Sequence, residues 1–334
     1  MDDDRPDVLL TGLLFFDLVL TGLGKPPTPG EEIWTSGMGT SPGGIANLAV
    51  AAARYGLRTS LATVFGDDAY GAHCRTVLAG QEGVDLSLSR TADDWHTPVT
   101  VSLAYDGDRA LITHGQPPPF SQDTLLGDPP EARTALVHIE AEPHRWLAKA
   151  AANGTQIYAD VGWDPTQKWS SDLLDQLALC HAFLPNETEA MAYTRTDTPV
   201  AALGTLSELV PVAVVTRGGD GAIAVDQTTG EYAEVPALPV DVVDSTGAGD
   251  VFGASFVAAS LGGWPLEERL RFAALAASLS VRERGGALAA PGWYHVHRWW
   301  HTLEDPELRR AYGFLADRLP ADPGPPVRFA PVTP

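Results

Sequence analysis

Short apolar runs alternate with helical stretches along most of this chain, and no other feature restricts its fold as strongly. Each run has the length of a strand, and segments of helical character separate most of them. The clearest runs lie at residues 8–14, 61–65, 135–139, 156–159, 182–184 and 212–215. Apolar runs without polar alternation are typical of strands that are covered on both faces. The pattern therefore predicts an α/β fold with a mostly parallel central sheet.

Two segments depart from this alternation. Residues 22–39 are rich in Gly and Pro, and residues 99–103 and 109–113 flank the turn sequence Asp106-Gly107-Asp108. A turn of this kind between two short apolar runs is typical of a β-hairpin. We therefore expect a small β lid outside the main sheet.

Composition opposes several classes of function. The net charge of −21 argues against a nucleic-acid partner, whose phosphates require a basic surface, but not against a single bound nucleotide. No apolar run reaches the roughly 18 residues of a membrane span, and the acidic residues 1–6 do not resemble a signal peptide. Only Cys74 and Cys180 occur, without disulfide or metal-site spacing. These features predict a cytoplasmic protein without nucleic-acid or membrane partners.

The most informative motif is Asp244-Ser245-Thr246-Gly247-Ala248-Gly249-Asp250, which precedes a small-residue helix through residues 251–260. Small residues before a helix leave backbone N–H groups exposed, and the helix N-terminus adds partial positive charge. Gly247, Ala248 and Gly249 are therefore predicted to form an anion hole for a phosphate. Asp250 stands where a carboxylate can orient an attacking hydroxyl and accept its proton. An Asp cap on a Gly-rich turn is the structural alternative.

This run resembles, almost residue for residue, the second signature of the ribokinase (PfkB-type) family of carbohydrate kinases. The resemblance implies that Asp250 is the catalytic base and that the backbone of Gly247, Ala248 and Gly249 forms the anion hole. It also implies ATP and Mg²⁺ as cofactors. Many relatives use a monovalent cation beside the loop, and Asp244 and Thr246 match the positions of its ligands, which extends the resemblance to a K⁺ site.

A second element, Pro42-Gly43-Gly44-Ile45-Ala46-Asn47, resembles the family's first signature. Paired glycines let a substrate approach the backbone closely, and Asn47 can donate to and accept from hydroxyl groups. The resemblance assigns Gly43, Gly44 and Asn47 to substrate binding. The match is incomplete, because Ile45 stands where a small residue or Pro is usual. Taken alone, a Gly-Gly pair before a helix is typical of an ordinary turn.

Two acidic residues complete the substrate side of the resemblance. Asp17 matches the residue at the end of the first strand that holds two hydroxyls of the acceptor. Phe15 replaces the Asn that ribokinases proper carry, which argues against ribose and indicates a partly apolar acceptor face. Glu140, at a strand end, matches a substrate-contacting Glu that is frequent in the family.

Two further elements resemble the family's nucleotide side. Pro185-Asn186-Glu187-Thr188-Glu189-Ala190 resembles an Asn-Glu-x-Glu element, which assigns Asn186 to ATP and Glu189 to Mg²⁺, partly through water. Both residues also fit the cap and first turn of a helix. Thr216-Arg217-Gly218-Gly219-Asp220-Gly221 resembles the nucleotide-phosphate loop and, with Gly249, assigns Thr216, Gly218 and Gly221 to ATP. Taken alone, that loop is typical of a hairpin turn.

The resemblance covers roughly residues 8–290, with its five elements in the family's order. It implies a three-layer α/β sandwich with a mostly parallel central sheet over residues 1–320, and a β lid from residues of about 15–40 and 99–115. It also implies that the chain can form a homodimer through the lid. Residues 321–334 contain several prolines and are predicted to form a tail.

The sequence thus predicts an ATP-dependent kinase that phosphorylates a hydroxyl of a sugar or sugar-like molecule. Lys25 and Arg109 are the only obvious basic residues of the lid, which favours an unphosphorylated acceptor. A nucleoside kinase of the same fold is the alternative. Two other classes are a catalytically silent sugar-binding sensor, which the intact Asp250 opposes, and a serine hydrolase using Ser41. Ser41 lies in a Gly-x-Ser-x-Gly pattern, but the buried strand required before that motif is missing.

A group of histidines near the C-terminus is the last candidate site. His295, His297 and His301 lie among Trp293, Trp299 and Trp300. Metal binding is one interpretation. Packing on an aromatic C-terminal helix is the interpretation that the neighbouring tryptophans favour.

Overall fold

The computed structural model describes residues 5–105, 108–162, 164 and 166–327. The strands are β1 (Val8–Thr11), β2 (Leu14–Thr21), β3 (Gly37–Gly44), β4 (Thr59–Ala62), β5 (Val64–Gly66), β6 (Arg90–Ala92), β7 (Val99–Tyr105), β8 (Asp108–His114), β9 (Thr134–Ile139), β10 (Gln156–Val161), β11 (Ala182–Phe183), β12 (Val212–Thr216), β13 (Ala222–Asp226) and β14 (Glu231–Val235).

The helices are α1 (Ile45–Arg54), α2 (Ala69–Arg75), α3 (Gln122–Leu126), α4 (Arg145–Ala152), α5 (Glu187–Thr194), α6 (Pro199–Ser207), α7 (Ala248–Leu261), α8 (Leu266–Ser280), α9 (Trp293–Thr302), α10 (Pro306–Ala311) and α11 (Leu315–Arg318). A π-helical stretch, Thr76–Gln81, follows α2 directly. Short 3-10 helices span Ser171–Leu179, Gly218–Asp220 and Gly286–Ala289.

The main sheet has eight strands in the order β14-β13-β12-β11-β10-β9-β1-β4. The strands from β12 to β4 pair in parallel, whereas β13 and β14 form an antiparallel extension at one edge. The two faces of the sheet pack against different helices. Leu136 of β9 belongs to the core that contains α1, α7 and α8, and the adjacent Val137 belongs to the core that contains α4, α5 and α6. The predicted three-layer α/β fold with a mostly parallel sheet is confirmed.

A separate sheet of four strands lies outside this core, in the order β3-β2-β7-β8. Both segments that the sequence assigns to a lid contribute strands to it, and we call this sheet the lid. Strands β7 and β8 pair antiparallel, as the hairpin pattern predicts. Of the predicted turn, residues 106 and 107 lie outside the described residues, as does the side chain of Arg109.

Two predicted strands are divided in the structure. The run at residues 8–14 ends as β1 at Thr11, and Leu14 already begins the lid strand β2. Gly12 occupies the break, where a Cβ atom would lie 3.1 Å from Cβ of Ile45. Asp17 therefore lies within β2 of the lid. The prediction that it lies at the end of the first strand of the main sheet is wrong. The run at residues 61–65 is likewise divided between β4 and β5.

The C-terminal part packs as helices against the core. His295, His297 and His301 lie on α9, where the rings of His297 and His301 are 4.2 Å apart. Within the described ranges, no group of three or more His, Cys, Asp or Glu side chains is arranged to hold a metal ion. Residues 321–327 contain no helix or strand, and residues 328–334 of the predicted tail lie outside the described residues. In the described part of the chain, every helix is too short or too polar to cross a lipid bilayer.

Candidate active site

The Gly-Ala-Gly-Asp motif forms the start of α7. Gly247 is the N-cap residue, with a left-handed backbone (φ +75°) that favours glycine, and no side chain caps the first turn. The backbone N–H groups of that turn are therefore left without a side-chain partner, as an anion site requires. Asp250 lies in the first turn rather than at the cap, so the interpretation of this residue as an Asp cap is wrong.

Two side chains from distant parts of the chain approach the carboxylate of Asp250. Asn47 of α1 donates from Nδ2 to Asp250 Oδ2 at 2.9 Å. His138 of β9 places Nε2 3.5 Å from Asp250 Oδ1. Asp250 itself is only 17% exposed. The carboxylate is therefore oriented from both sides at the N-terminus of α7.

The predicted acceptor residues lie beside this pair. Asp17 is buried in β2, and a Cβ atom on Gly43 would lie 2.0 Å from its Oδ2 atom. A Cβ atom on Gly286 would lie 3.4 Å from Asn47 Oδ1 and 3.6 Å from Asp17 Oδ2. Asp17, Asn47 and Gly286 therefore border one space. Glycine at positions 43 and 286 keeps side-chain atoms out of it.

The second glycine of the Gly-Gly pair has a backbone role. Gly44 has φ +62°, and a Cβ atom there would lie 2.4 Å from the carbonyl oxygen of Leu13 and 2.6 Å from the ring of Phe15. Only glycine fits at position 44, where the chain turns from β3 into α1, because any side chain would clash with Leu13 and Phe15. Asn47 Oδ1 is buried without a hydrogen-bond partner among the described residues, which leaves it able to accept from an acceptor hydroxyl.

A group of ionisable residues surrounds His138. Asp160 of β10 is its register partner on the neighbouring strand, and Glu189 of α5 carries a further carboxylate that acts on it electrostatically. Burial alone would lower the pKa of His138, but the hydrogen bond and charge of Asp250, together with Asp160 and Glu189, raise it to about 9. Burial raises the pKa of Asp160 to about 8, and Glu189 and Asp250 add to that effect. Burial also raises the pKa of Glu189.

Sequence analysis did not select His138, Asp160 or Gly286. His138 and Asp160 each stand at the carboxyl end of a predicted apolar strand, on the sheet face that packs against α7. A polar side chain at such a position could have indicated a site, because carboxyl ends of parallel strands meet at one edge. No comparable pattern marks Gly286.

The predicted nucleotide loop borders a separate cavity of about 410 Å³. Thr216-Arg217-Gly218-Gly219-Asp220-Gly221 connects the antiparallel strands β12 and β13, so it is a hairpin connection as well as part of this cavity. Gly221 has φ +89°, and a Cβ atom there would lie 2.0 Å from the carbonyl oxygen of Val235. The remaining lining is mainly apolar and includes Leu238, Val240, Val242, Ala248, Gly249, Phe252, Ala274, Ala277 and Val281. Apolar walls beside an uncapped helix N-terminus suit a ring system that carries an anionic group.

The Asn-Glu-x-Glu element forms a capping box. The side chain of Asn186 accepts from Glu189 N, and Glu189 Oε2 accepts from Asn186 N, both at 3.0 Å. The helix-cap interpretation of this element is therefore correct. It uses only one carboxylate oxygen of Glu189 and leaves the other for water or a hydrated cation.

The remaining predicted residues are placed as follows. Asp244 Oδ1 accepts from the backbone and hydroxyl of Thr246, and Asp244 Oδ2 accepts from Gly285 N at 3.2 Å. These contacts bring the two candidate cation ligands together. The side chain of Glu140 is 60% exposed and contacts His144 and Gln122 rather than Asp17, Asn47 or Asp250.

Ser41 does not have the setting of a hydrolase nucleophile. It is fully buried within β3, where its hydroxyl donates to its neighbour Pro42 and accepts from Leu288 N. A nucleophile elbow instead exposes the serine hydroxyl at a strand-to-helix turn.

The sequence of the chain matches a known protein family over most of its length. The family described as pfkB family carbohydrate kinase matches residues 6–292. The chain belongs to the PfkB family. Members of this family are carbohydrate kinases, and the predicted class of ATP-dependent carbohydrate kinase is thereby confirmed for this chain.

Curated relatives of this PfkB protein act on different acceptors. A nucleoside kinase of Methanothermobacter thermautotrophicus is 30% identical over 85% of this chain and 92% of that protein. A fructokinase of Klebsiella pneumoniae is 33% identical over 74% of this chain and 85% of that protein. Arabidopsis thaliana ribokinase, solved with ribose and ATP, has a TM-score of 0.70 at 27% identity and covers 88% of this chain and 98% of its own. An Escherichia coli protein assigned as ribokinase II, solved with ATP and Mg²⁺, has a TM-score of 0.74 at 21% identity and covers 89% of this chain and 100% of its own.

Proposed function

We propose that this PfkB protein transfers the γ-phosphate of ATP to a hydroxyl of an unphosphorylated sugar, sugar acid or nucleoside. The observation that carries the proposal is the convergence of Asp17, Asn47 and Asp250 at the uncapped N-terminus of α7. Asp17 and Asn47 Oδ1 would bind acceptor hydroxyls. Asp250 would take the proton of the attacking hydroxyl while its oxygen approaches the γ-phosphorus in line. The N–H groups of residues 247–249 would stabilise the charge on the transferred group.

The nucleotide and the metal have separate supports. The apolar cavity beside Thr216, Gly218, Gly221 and Gly249 fits a nucleobase whose phosphates extend toward α7. Glu189 would hold a hydrated Mg²⁺, because it keeps one oxygen outside the capping box and a bound cation would offset the cost of burying its charged form, the cost that raises its pKa. When bound, Mg²⁺ offsets negative charge on the phosphates. Asn186 would position this carboxylate through the cap.

A monovalent cation is a further part of the proposal. Asp244 and Thr246 are held together, and Asp244 is tied to Gly285 next to the acceptor site. K⁺ bound there would stabilise the loop that leads into the anion hole. Replacing K⁺ by tetramethylammonium is then expected to lower kcat several-fold, and an unchanged rate would remove K⁺ from the proposal.

The charge of the lid favours an unphosphorylated acceptor. Lys25 is paired with Glu31, which offsets its positive charge. The ring of Phe15 packs against Gly44, next to Asn47, and gives the acceptor space an apolar side. An apolar side suits a nucleobase as well as a sugar carbon face. The nucleoside-kinase alternative therefore stays in the proposal.

Phosphate transfer to a panel of free sugars, sugar acids, sugar phosphates and nucleosides tests the proposal. With ATP, Mg²⁺ and K⁺ present, we expect turnover with an unphosphorylated member, measured as ADP release and as a phosphorylated product. Turnover confined to sugar phosphates would contradict the acceptor class. Binding of a sugar without turnover would instead support the silent sensor.

We further propose that two chains associate through the lid. Strand register places Leu18, Leu20, Met38, Val101 and Ile112 on one face of the lid sheet, with Asp17 on the other. Met38 and Ile112 on this apolar face are 49% and 63% exposed. A second copy of the face would remove these side chains from water.

Ile112→Glu is expected to convert the dimer to a monomer, because the charge would be buried against the apolar face of the second copy. Sedimentation velocity at several concentrations measures the mass. Val200→Glu, at an exposed position on α6, is the matched control and should leave the mass unchanged. A wild-type protein that sediments as a monomer at all concentrations would contradict the dimer.

A further inference from the structure

Among the described residues, His138 is the ionisable group that contacts Asp250 and has no role in the reaction described above. It projects from β9 toward α7, and its Nε2 atom lies 3.5 Å from Asp250 Oδ1. Asn47 holds the other oxygen of the same carboxylate at 2.9 Å. A carboxylate oxygen has two lone pairs, so each can still accept from an acceptor hydroxyl. The two contacts restrict the rotation of the carboxylate without blocking it.

The ionisable groups around His138 are all acidic. Asp250 faces it from α7, Asp160 from the neighbouring strand β10 and Glu189 from α5. Glu140, which directly follows β9, also interacts with it electrostatically. Among the groups described there, no arginine or lysine competes for these carboxylates. His138 is therefore the group that can offset the negative charge next to Asp250.

We propose that His138 is a positioning residue for phosphoryl transfer: as an imidazolium it holds the carboxylate of Asp250 in the orientation that receives the proton of the acceptor hydroxyl. This inference rests on the proposed function of Asp250 as the base. Because His138 already carries both ring protons in this state, it does not take the proton further. The proton moves from the acceptor oxygen to Asp250 and leaves from there to solvent after the product departs.

The environment of His138 supports a charged ring at neutral pH. The hydrogen bond with Asp250 and the electrostatic effects of Asp250, Asp160 and Glu189 outweigh burial and raise its pKa to about 9. A group with a raised pKa keeps its charge below that value and loses it as the pH rises through it. The help that His138 gives to Asp250 is therefore present at pH 7 and is lost above about pH 9.

The pH dependence of kcat in His138→Gln separates positioning from simple packing. Gln keeps a hydrogen-bond donor but carries no charge, so we expect kcat at pH 7 to fall about tenfold with little change in KM. The wild-type decline near pH 9 should disappear in this variant. His181→Gln is the control. His181 directly precedes β11, at the amino end of that strand, so this variant should keep the wild-type profile. A His138→Gln enzyme with the wild-type kcat and the same alkaline decline would overturn the proposal.

A second measurement does not depend on turnover. Titration of the His138 ring by NMR in wild-type protein should give a pKa near 9, and Asp250→Asn should lower it clearly. The same pKa in both proteins would overturn the proposed pairing. If no acceptor is phosphorylated, the function proposed for the chain fails, whereas the titration still decides whether His138 and Asp250 form a pair.

Discussion

Asp250→Asn is expected to lower kcat by at least about a hundredfold, because the amide cannot accept the proton of the attacking hydroxyl. The change is nearly isosteric, and Asp250 lies in the first turn of α7 without capping it. The amide oxygen can still accept from one of the two donors, Asn47 or His138. We therefore expect the free energy of unfolding to change little.

Steady-state kinetics and urea denaturation of the same preparations check both parts of this prediction. Asp175→Asn is the matched control, since Asp175 is exposed and far from α7 along the chain. It should leave kcat unchanged. An Asp250→Asn enzyme that keeps kcat within about threefold of the wild type would remove Asp250 from the role of base.

The catalytic motif could be predicted because its parts are contiguous. Residues 244–250 contain the loop, the helix start and the carboxylate in one segment, so composition and order alone define the chemistry. The groups that orient Asp250 are not contiguous with it. Asn47 is 203 residues away, and only the family resemblance predicts it as a site residue. The same resemblance points to Glu140 rather than to His138, which lies two residues before it. A contact across the sheet depends on strand register, which the sequence does not display.

The boundary between the main sheet and the lid could not be predicted from the sequence either. Apolar runs at residues 135–139 and 212–215 match β9 and β12 closely, because buried parallel strands have a plain composition. The run at residues 8–14 is equally apolar but crosses from one sheet to another at Gly12. Both pieces are buried, so hydrophobicity does not mark the boundary. This boundary is what places Asp17 on the lid rather than on the main sheet.

A buried ion pair connects the stability of the fold to the acceptor site. Arg54, at the end of α1, contacts both carboxylate oxygens of Glu82, at 2.8 and 2.9 Å. It also donates to the carbonyl oxygens of Leu288 and Ala290. These carbonyls lie at the end of the 3-10 helix Gly286–Ala289, whose first residue borders the acceptor space. The Arg54 and Glu82 side chains are only 2% and 9% exposed.

Glu82→Ala is therefore expected to lower the free energy of unfolding by about 3–5 kcal/mol, because it removes the carboxylate that pairs with the buried Arg54. Urea denaturation measures this loss. Glu267→Ala is the matched control: Glu267 pairs with Arg271 one turn along α8, but its side chain is 61% exposed, so the loss should stay below about 1 kcal/mol. In the folded fraction of Glu82→Ala, the KM for the acceptor should rise, because Arg54 loses the contact that orients it and holds the segment that carries Gly286 less firmly. Equal losses of unfolding free energy in the two variants would mean that burial does not strengthen the Arg54–Glu82 pair. An unchanged KM would mean that this pair has no effect on acceptor binding.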